Sequence, residues 1–222
     1  MHEQIMGFDV SNGYEYENGF YLTTKHTRLA KAIAHWEIYK QIANVPGEIV
    51  ECGTFKGASF IRFLTFREML ENPYSRKAIS FDAFGCFPST NRPADMEFIE
   101  SFEGMSGKGI SRNELDVALK LKGFVNYELV QGNILQTLME YLQKNNSLKI
   151  ALLHIDVDVY DATSHCLNIL YGHVTRGGAV ILDDYSIVEG ANKAIDEFIA
   201  SHPEIELKKY GFYSVPSYFI KR

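Results

Sequence analysis

Residues Lys149 to Tyr185 read KIALLHIDVDVYDATSHCLNILYGHVTRGGAVILDDY and hold two apolar runs, Ile150–Ile155 and Ala179–Leu182. Each run breaks off in paired acids, Asp156 with Asp158 and Asp183 with Asp184. Fully apolar runs of this length, separated by a helix-sized segment, read as neighbouring strands of a parallel sheet covered on both faces. Their carboxyl ends then share one edge, the edge where open parallel sheets bind ligands. Four carboxylates distant in sequence would meet there and repel, and a divalent cation with oxygen ligands is the simplest compensation. If the first strand persists through the acids, the i, i+2 spacing of Asp156 and Asp158 turns both to one face. Single acids at strand-to-helix turns commonly cap helices. Capping accounts for one acid per turn, not for two at both.

Upstream, a short apolar strand at Ile49-Val50 runs into Glu51-Cys52-Gly53, and Gly57-Ala58-Ser59 opens a helix containing Phe60, Phe63, Leu64 and Leu70. This strand, glycine turn and helix lets a ligand approach the backbone near free helix N–H groups. The spacing is neither GxGxxG nor a phosphate-binding P-loop. A further strand ends at Asp82, placed either to accept both hydroxyls of a ribose or to cap the next segment. Residues 85–110, rich in proline and glycine, read as a long irregular insertion serving as a lid. A strand at Tyr127–Val130 ends in Gln131-Gly132-Asn133, and Leu135, Leu138, Met139 and Leu142 continue at helical spacing.

Residues 1–25 show no clear period and read as an arm that packs on the domain, a partner subunit or the substrate. From Thr27 a helix is expected, with Leu29, Ile33, Trp36 and Ala43 as its apolar stripe and Pro46-Gly47 as its stop. His154 reads as a core or supporting residue, and His26, His35, His165 and His173 form no ligand-spaced set. Near the other end, Ala191, Ala194, Ile195, Phe198 and Ile199 mark an amphipathic helix. The runs ELKKYGF and SYFIKR then suggest a hairpin adding an antiparallel edge.

The chain of 222 residues, with 22 basic and 28 acidic side chains and a formal charge of −6, is expected to form one domain over 1–222. No Lys/Arg block marks a nucleic-acid partner, and no stretch approaches the ~18 apolar residues of a membrane span. Cys52, Cys86 and Cys166 lack CxxC spacing and suit reduced thiols. A cytoplasmic location is the resulting expectation, with a homo-oligomer left open.

Five βα steps closed by a hairpin, with a glycine turn after the first and an acid after the second, resemble the class I S-adenosylmethionine-dependent methyltransferases. The implied fold is α/β, a Rossmann-like doubly wound sheet, mostly parallel with a C-terminal antiparallel hairpin. The stretches IVECGTFKGAS (49–59), FDAFGCFP (81–88) and especially LLHIDVDVYDAT (152–163) with GGAVILDDY (177–185) look like the macrocin O-methyltransferase (TylF-type) family, which methylates sugar hydroxyls in a Mg²⁺-dependent way. The resemblance implies that Asp156, Asp183 and Asp184 bind the metal and that Asp158 is the general base. It also implies that Glu51, Gly53 and Asp82 contact S-adenosylmethionine, with Gln131, Gly132 and Asn133 near its adenine. The family commonly has glycine between the first pair of acids, where Val157 stands here. The expected acceptor is a small-molecule hydroxyl substrate: a sugar, a nucleotide-linked sugar or a related polyol. Alternatives are a catechol or phenol methyltransferase, a metal-dependent phosphoester hydrolase, or a non-catalytic module for an adenosine-containing ligand.

Overall fold

The computed structural model describes residues 4–222. A six-stranded sheet forms its centre, built from β3 (Glu48–Cys52), β4 (Ala78–Asp82), β5 (Tyr127–Gln131), β6 (Ile150–Ile155), β7 (Val174–Leu182) and β8 (Ser217–Ile220). Their order is β5-β4-β3-β6-β7-β8, parallel throughout except for β8 against β7. Helices cover both faces, which is why β6 is buried along its whole length and reads as an unbroken apolar run. One face packs α2 (His26–Ile42) and α3 (Ala58–Leu70) through Ile38, Tyr39, Phe60 and Phe63. The other packs α6 (Ile134–Lys144), α7 (Tyr160–Leu170) and α8 (Glu189–Ala200) through Leu138, Leu167, Ile195 and Phe198.

Strand order reverses between β3 and β6, so the two connections that leave these strands diverge and open a crevice at their carboxyl ends. Gly53 and Asp156 face each other across it. Gly53 has φ +86°, and a Cβ there would lie 2.6 Å from the Asp156 carbonyl carbon. Only glycine lets the two strand ends come this close.

Three expectations are corrected. Helix α2 forms, but Leu29 and Ile33 are exposed and the buried face is Ala34, His35, Ile38, Tyr39 and Ile42. The insertion is not irregular, because Pro93 opens helix α4 (Pro93–Ser106), where a missing N–H costs nothing at the first helical position. The arm is not among them: residues 1–3 lie outside the described residues, and the rest forms a two-residue ladder of β1 (Gln4–Ile5) with β2 (Phe8–Asp9), Ile5 packing against the core, followed by α1 (Gly13–Thr23). At the far end, the first half of the expected hairpin contributes only an isolated bridge, Lys208 to Tyr218, while β8 supplies the antiparallel edge. Helix α5 (Arg112–Leu121) completes the inventory, with Ser111 capping it by accepting from the Glu114 N–H.

Candidate functional site

The crevice widens into a cavity of about 640 Å³ whose wall includes Gly53, Asp82, Gly132, Asn133 and all four acids that follow β6 and β7. The acids do not form one group. Oxygens of Asp156, Asp158 and Asp184 lie within 4.8 Å of one another, whereas Asp183 joins His35 and His154 in a second, deeper set. The reason is local backbone geometry. Strand β6 ends at Ile155, and Asp158 adopts φ +61°, a left-handed turn uncommon for a residue other than glycine. The expected i, i+2 projection from a continuing strand is therefore not what brings Asp158 to the cluster. The turn does, and the Asp158 N–H donates to Asp184 Oδ2 at 2.9 Å.

Asp183, expected among the metal ligands, is turned inward. Lys31 Nζ donates to its Oδ2, and its Oδ1 lies 3.5 Å from His154 Nε2 and 3.6 Å from His35 Nε2. Burial alone would raise its pKa, but His154, His35 and Lys31 outweigh that and hold it well below the usual carboxylate range. Its charge is already compensated by the protein. Glu51, expected to touch the donor, is fully buried, and its Oε2 sits 2.9 Å from His154 Nδ1. It lies behind the cavity wall as the outer member of a chain Glu51–His154–Asp183. Burial would lower the His154 pKa, but the contacts with Asp183 and Glu51 hold it up to about 10, so the ring is a cation between two carboxylates. Burial pushes His35 down to about 4, leaving it neutral, stacked on Phe63 at 5.1 Å.

The remaining three acids have the opposite character. Burial first, then Asp183 and Asp184, push Asp156 well above its ordinary value. Burial and Asp158 do the same to Asp184. Burial and Asp156 lift Asp158 to about 7. Carboxyl groups raised by one another, with oxygen the sole donor type, fit a hard divalent cation such as Mg²⁺ rather than a thiolate- or imidazole-seeking metal.

Asp82 accepts from the Thr54 and Phe55 N–H groups through Oδ2, at 2.6 and 3.0 Å, and from the Phe84 N–H through Oδ1 at 2.5 Å. It thus ties the glycine turn to the end of β4 while remaining in the cavity wall. Asn133 caps α6 by accepting from the Leu135 N–H at 3.0 Å. Gly132 lines the cavity beside it. Gln131 does not line it; its exposed side chain donates to the Ala83 carbonyl at 3.4 Å. Lys31 and His35 are the functional-site residues that the sequence reading missed. Their only signal was an i, i+4 pair on the face of α2 opposite its apolar stripe.

The opposite side of the cavity is aromatic. Phe102 of α4 packs edge-on to Phe55 at 5.2 Å and to Phe87 at 5.8 Å, and all three face the cavity. Among the described residues, no helix is long and apolar enough to cross a membrane.

The family model described as macrocin-O-methyltransferase (TylF) matches residues 24–208. The demethyldecarbamoylnovobiocin O-methyltransferase of Streptomyces niveus is 26% identical over 166 residues, which is 71% of this chain and 60% of that protein. The chain therefore spans 60% of the length of this curated relative. Among solved structures, the O-methyltransferase NovP superposes with a TM-score of 0.74 at 22% identity, covering 86% of this chain and 78% of its own. A calicheamicin methyltransferase superposes with a TM-score of 0.71 at 22% identity, covering 93% of this chain and 84% of its own. At such identities the structural likeness establishes the α/β fold.

Proposed function

The chain belongs to the macrocin O-methyltransferase (TylF) family, and from that premise we propose that it transfers a methyl group from S-adenosylmethionine to a hydroxyl of a sugar, a nucleotide-linked sugar or a related polyol. The observation that carries this reading is the convergence of Asp156, Asp158 and Asp184 at the switch-point crevice, beside the glycine turn. A solved relative described as a TDP-rhamnose 3′-O-methyltransferase gives the acceptor class its precedent.

When bound, the donor supplies an electrophilic methyl group and the cation lowers the cost of a developing alkoxide. The chain's own residues do the rest. Asp156 and Asp184 offer the oxygens that would hold the cation. Asp158 is the general base, placed by its left-handed turn at the edge of the cluster, beside the two acids that would hold the cation and within the cavity where a hydroxyl would bind. Lys31 and the charged His154 neutralise Asp183, with Glu51 holding His154 from behind and His35 packed beside them, which fixes the backbone that carries Asp184. Gly53 and Asp82 shape the donor side, with Gly132 and Asn133 toward the adenine. Residues 85–110 serve as the lid, through Phe87 and Phe102.

The aromatic wall favours a second acceptor class, a phenol or catechol. The deciding experiment supplies donor with an isotopically labelled methyl group to a panel of free sugars, nucleotide-linked sugars, glycosides and catechols, with Mg²⁺ or with a chelator. Label on a sugar hydroxyl, lost on chelation, is expected. Label only on catechols would transfer the assignment to the second class. No transfer to any member would leave a hydrolase or a binding module.

A further inference from the structure

Four cationic side chains, Arg28, Lys31, Lys56 and Arg62, stand in the cavity wall. Two have partners in the fold: Lys31 pairs with Asp183, and Lys56 Nζ donates to the Ser106 carbonyl at 2.6 Å. Among the described residues, Arg28 and Arg62 have none. Neither guanidinium makes a hydrogen bond or an ion pair among the described residues, although the chain carries a net charge of −6 and six aspartates line this cavity. Arg28 projects from the first turn of α2 and is exposed; Arg62 lies on α3 and is half-buried, one turn beyond Ser59 on the same face. Burial lowers the Arg62 pKa, and repulsion from Arg28 adds to this, despite Asp183, Glu51 and Asp156 nearby. Holding two like charges together without a partner is unfavourable, and an anion between them removes the penalty. Guanidinium groups also match the fork of a carboxylate or phosphate.

We propose that Arg28 and Arg62 form an oxyanion-binding subsite of the cavity, which takes the carboxylate or phosphate oxygens of a bound small molecule. The inference rests on the cavity holding methyl donor and acceptor together. Two sources offer this chemistry. One is the carboxylate at the amino-acid end of the donor; the other is the diphosphate of a nucleotide-linked sugar.

Calorimetric titration of the 222-residue chain in Mg²⁺ buffer separates them. The probes are S-adenosylhomocysteine and its counterpart without the amino acid, methylthioadenosine, then thymidine diphosphate and thymidine. Arg28→Met and Arg62→Met are expected to weaken one of the charged probes about 10- to 100-fold, the loss of a charge-assisted hydrogen bond, while leaving its uncharged counterpart unchanged. Arg62→Lys, which keeps the charge and loses the fork, is expected to fall between. Loss confined to S-adenosylhomocysteine assigns the subsite to the donor, and loss confined to the diphosphate assigns it to the acceptor. Unchanged affinity for both charged probes, or equal losses for charged and uncharged members, would overturn the subsite. Failure of the wild-type protein to bind any probe would overturn the functional reading and the subsite with it. Because Arg28 is exposed, its replacement keeps the test independent of folding.

Discussion

Replacing Gly53 with alanine tests the contact on which the crevice is built. At φ +86° an L-residue is strained by about 1–2 kcal/mol. The new Cβ would sit 2.6 Å from the Asp156 carbonyl carbon, against an optimum of about 3.5–4.0 Å for carbon pairs. One strand end must therefore retreat by roughly 1 Å, and overpacking of this kind costs about 1–3 kcal/mol. Alanine also restricts the unfolded chain, which returns about 0.4–1 kcal/mol. The net destabilisation is roughly 1–4.6 kcal/mol, or a fall in Tm on the order of 2–18 °C at about 2–4 °C per kcal/mol for a chain of this size. Thermal unfolding by circular dichroism, with Gly19→Ala as control, measures it; an added Cβ at Gly19 meets nothing within 4 Å, and alanine inside α1 should be neutral or stabilising. Because the retreat displaces Asp156, Mg²⁺ affinity should fall as well. A Gly53→Ala protein with wild-type Tm and wild-type Mg²⁺ affinity would refute the close approach of β3 and β6.

Asp158→Asn should retain donor and metal binding but lose turnover by about 10²–10⁴-fold, without rescue by added Mg²⁺; full methyl transfer would give proton removal to another group. Asp184→Asn should lower Mg²⁺ affinity and recover part of its activity at high Mg²⁺, whereas Asp183→Asn, which leaves Lys31 and His154 without their anion, should chiefly lower Tm. Equal loss of Mg²⁺ affinity in both variants would return Asp183 to the ligand set. Asp158 is raised from 3.8 to about 7, so between these values the folded state binds more protons than the unfolded state and metal-free stability declines as pH rises. The decline should be shallower in Asp158→Asn when Tm is followed from pH 4 to 7 in chelator; parallel profiles would show that Asp158 titrates normally. Asp82→Ala removes the acceptor of three N–H groups and should cost roughly 1–3 kcal/mol per donor left buried and unpaired, together with donor affinity. An unaltered unfolding curve would mean that water replaces the carboxylate.

The apolar runs Ile150–Ile155 and Ala179–Leu182 made the covered parallel sheet legible, because a strand buried on both faces has no polar alternation to show. The position of the acids was legible too, since residues that end adjacent parallel strands must share an edge. What those acids do there was not. Their side-chain directions depend on torsions outside the strands, such as the left-handed turn at Asp158, and no periodicity records such a turn. The division into a compensated Asp183 and an uncompensated trio depended on Lys31 and His35, which lie more than 140 residues earlier in the chain and reach the acids only because α2 packs across the ends of β6 and β7. The same polar partners explain why the apolar stripe of α2 pointed to the wrong face. For Glu51, the sequence placed an acid at the end of β3, and the fold buried it against His154. Sequence periodicity reports which residues leave water, whereas the pairing of charges is settled by three-dimensional proximity between segments that no local pattern connects.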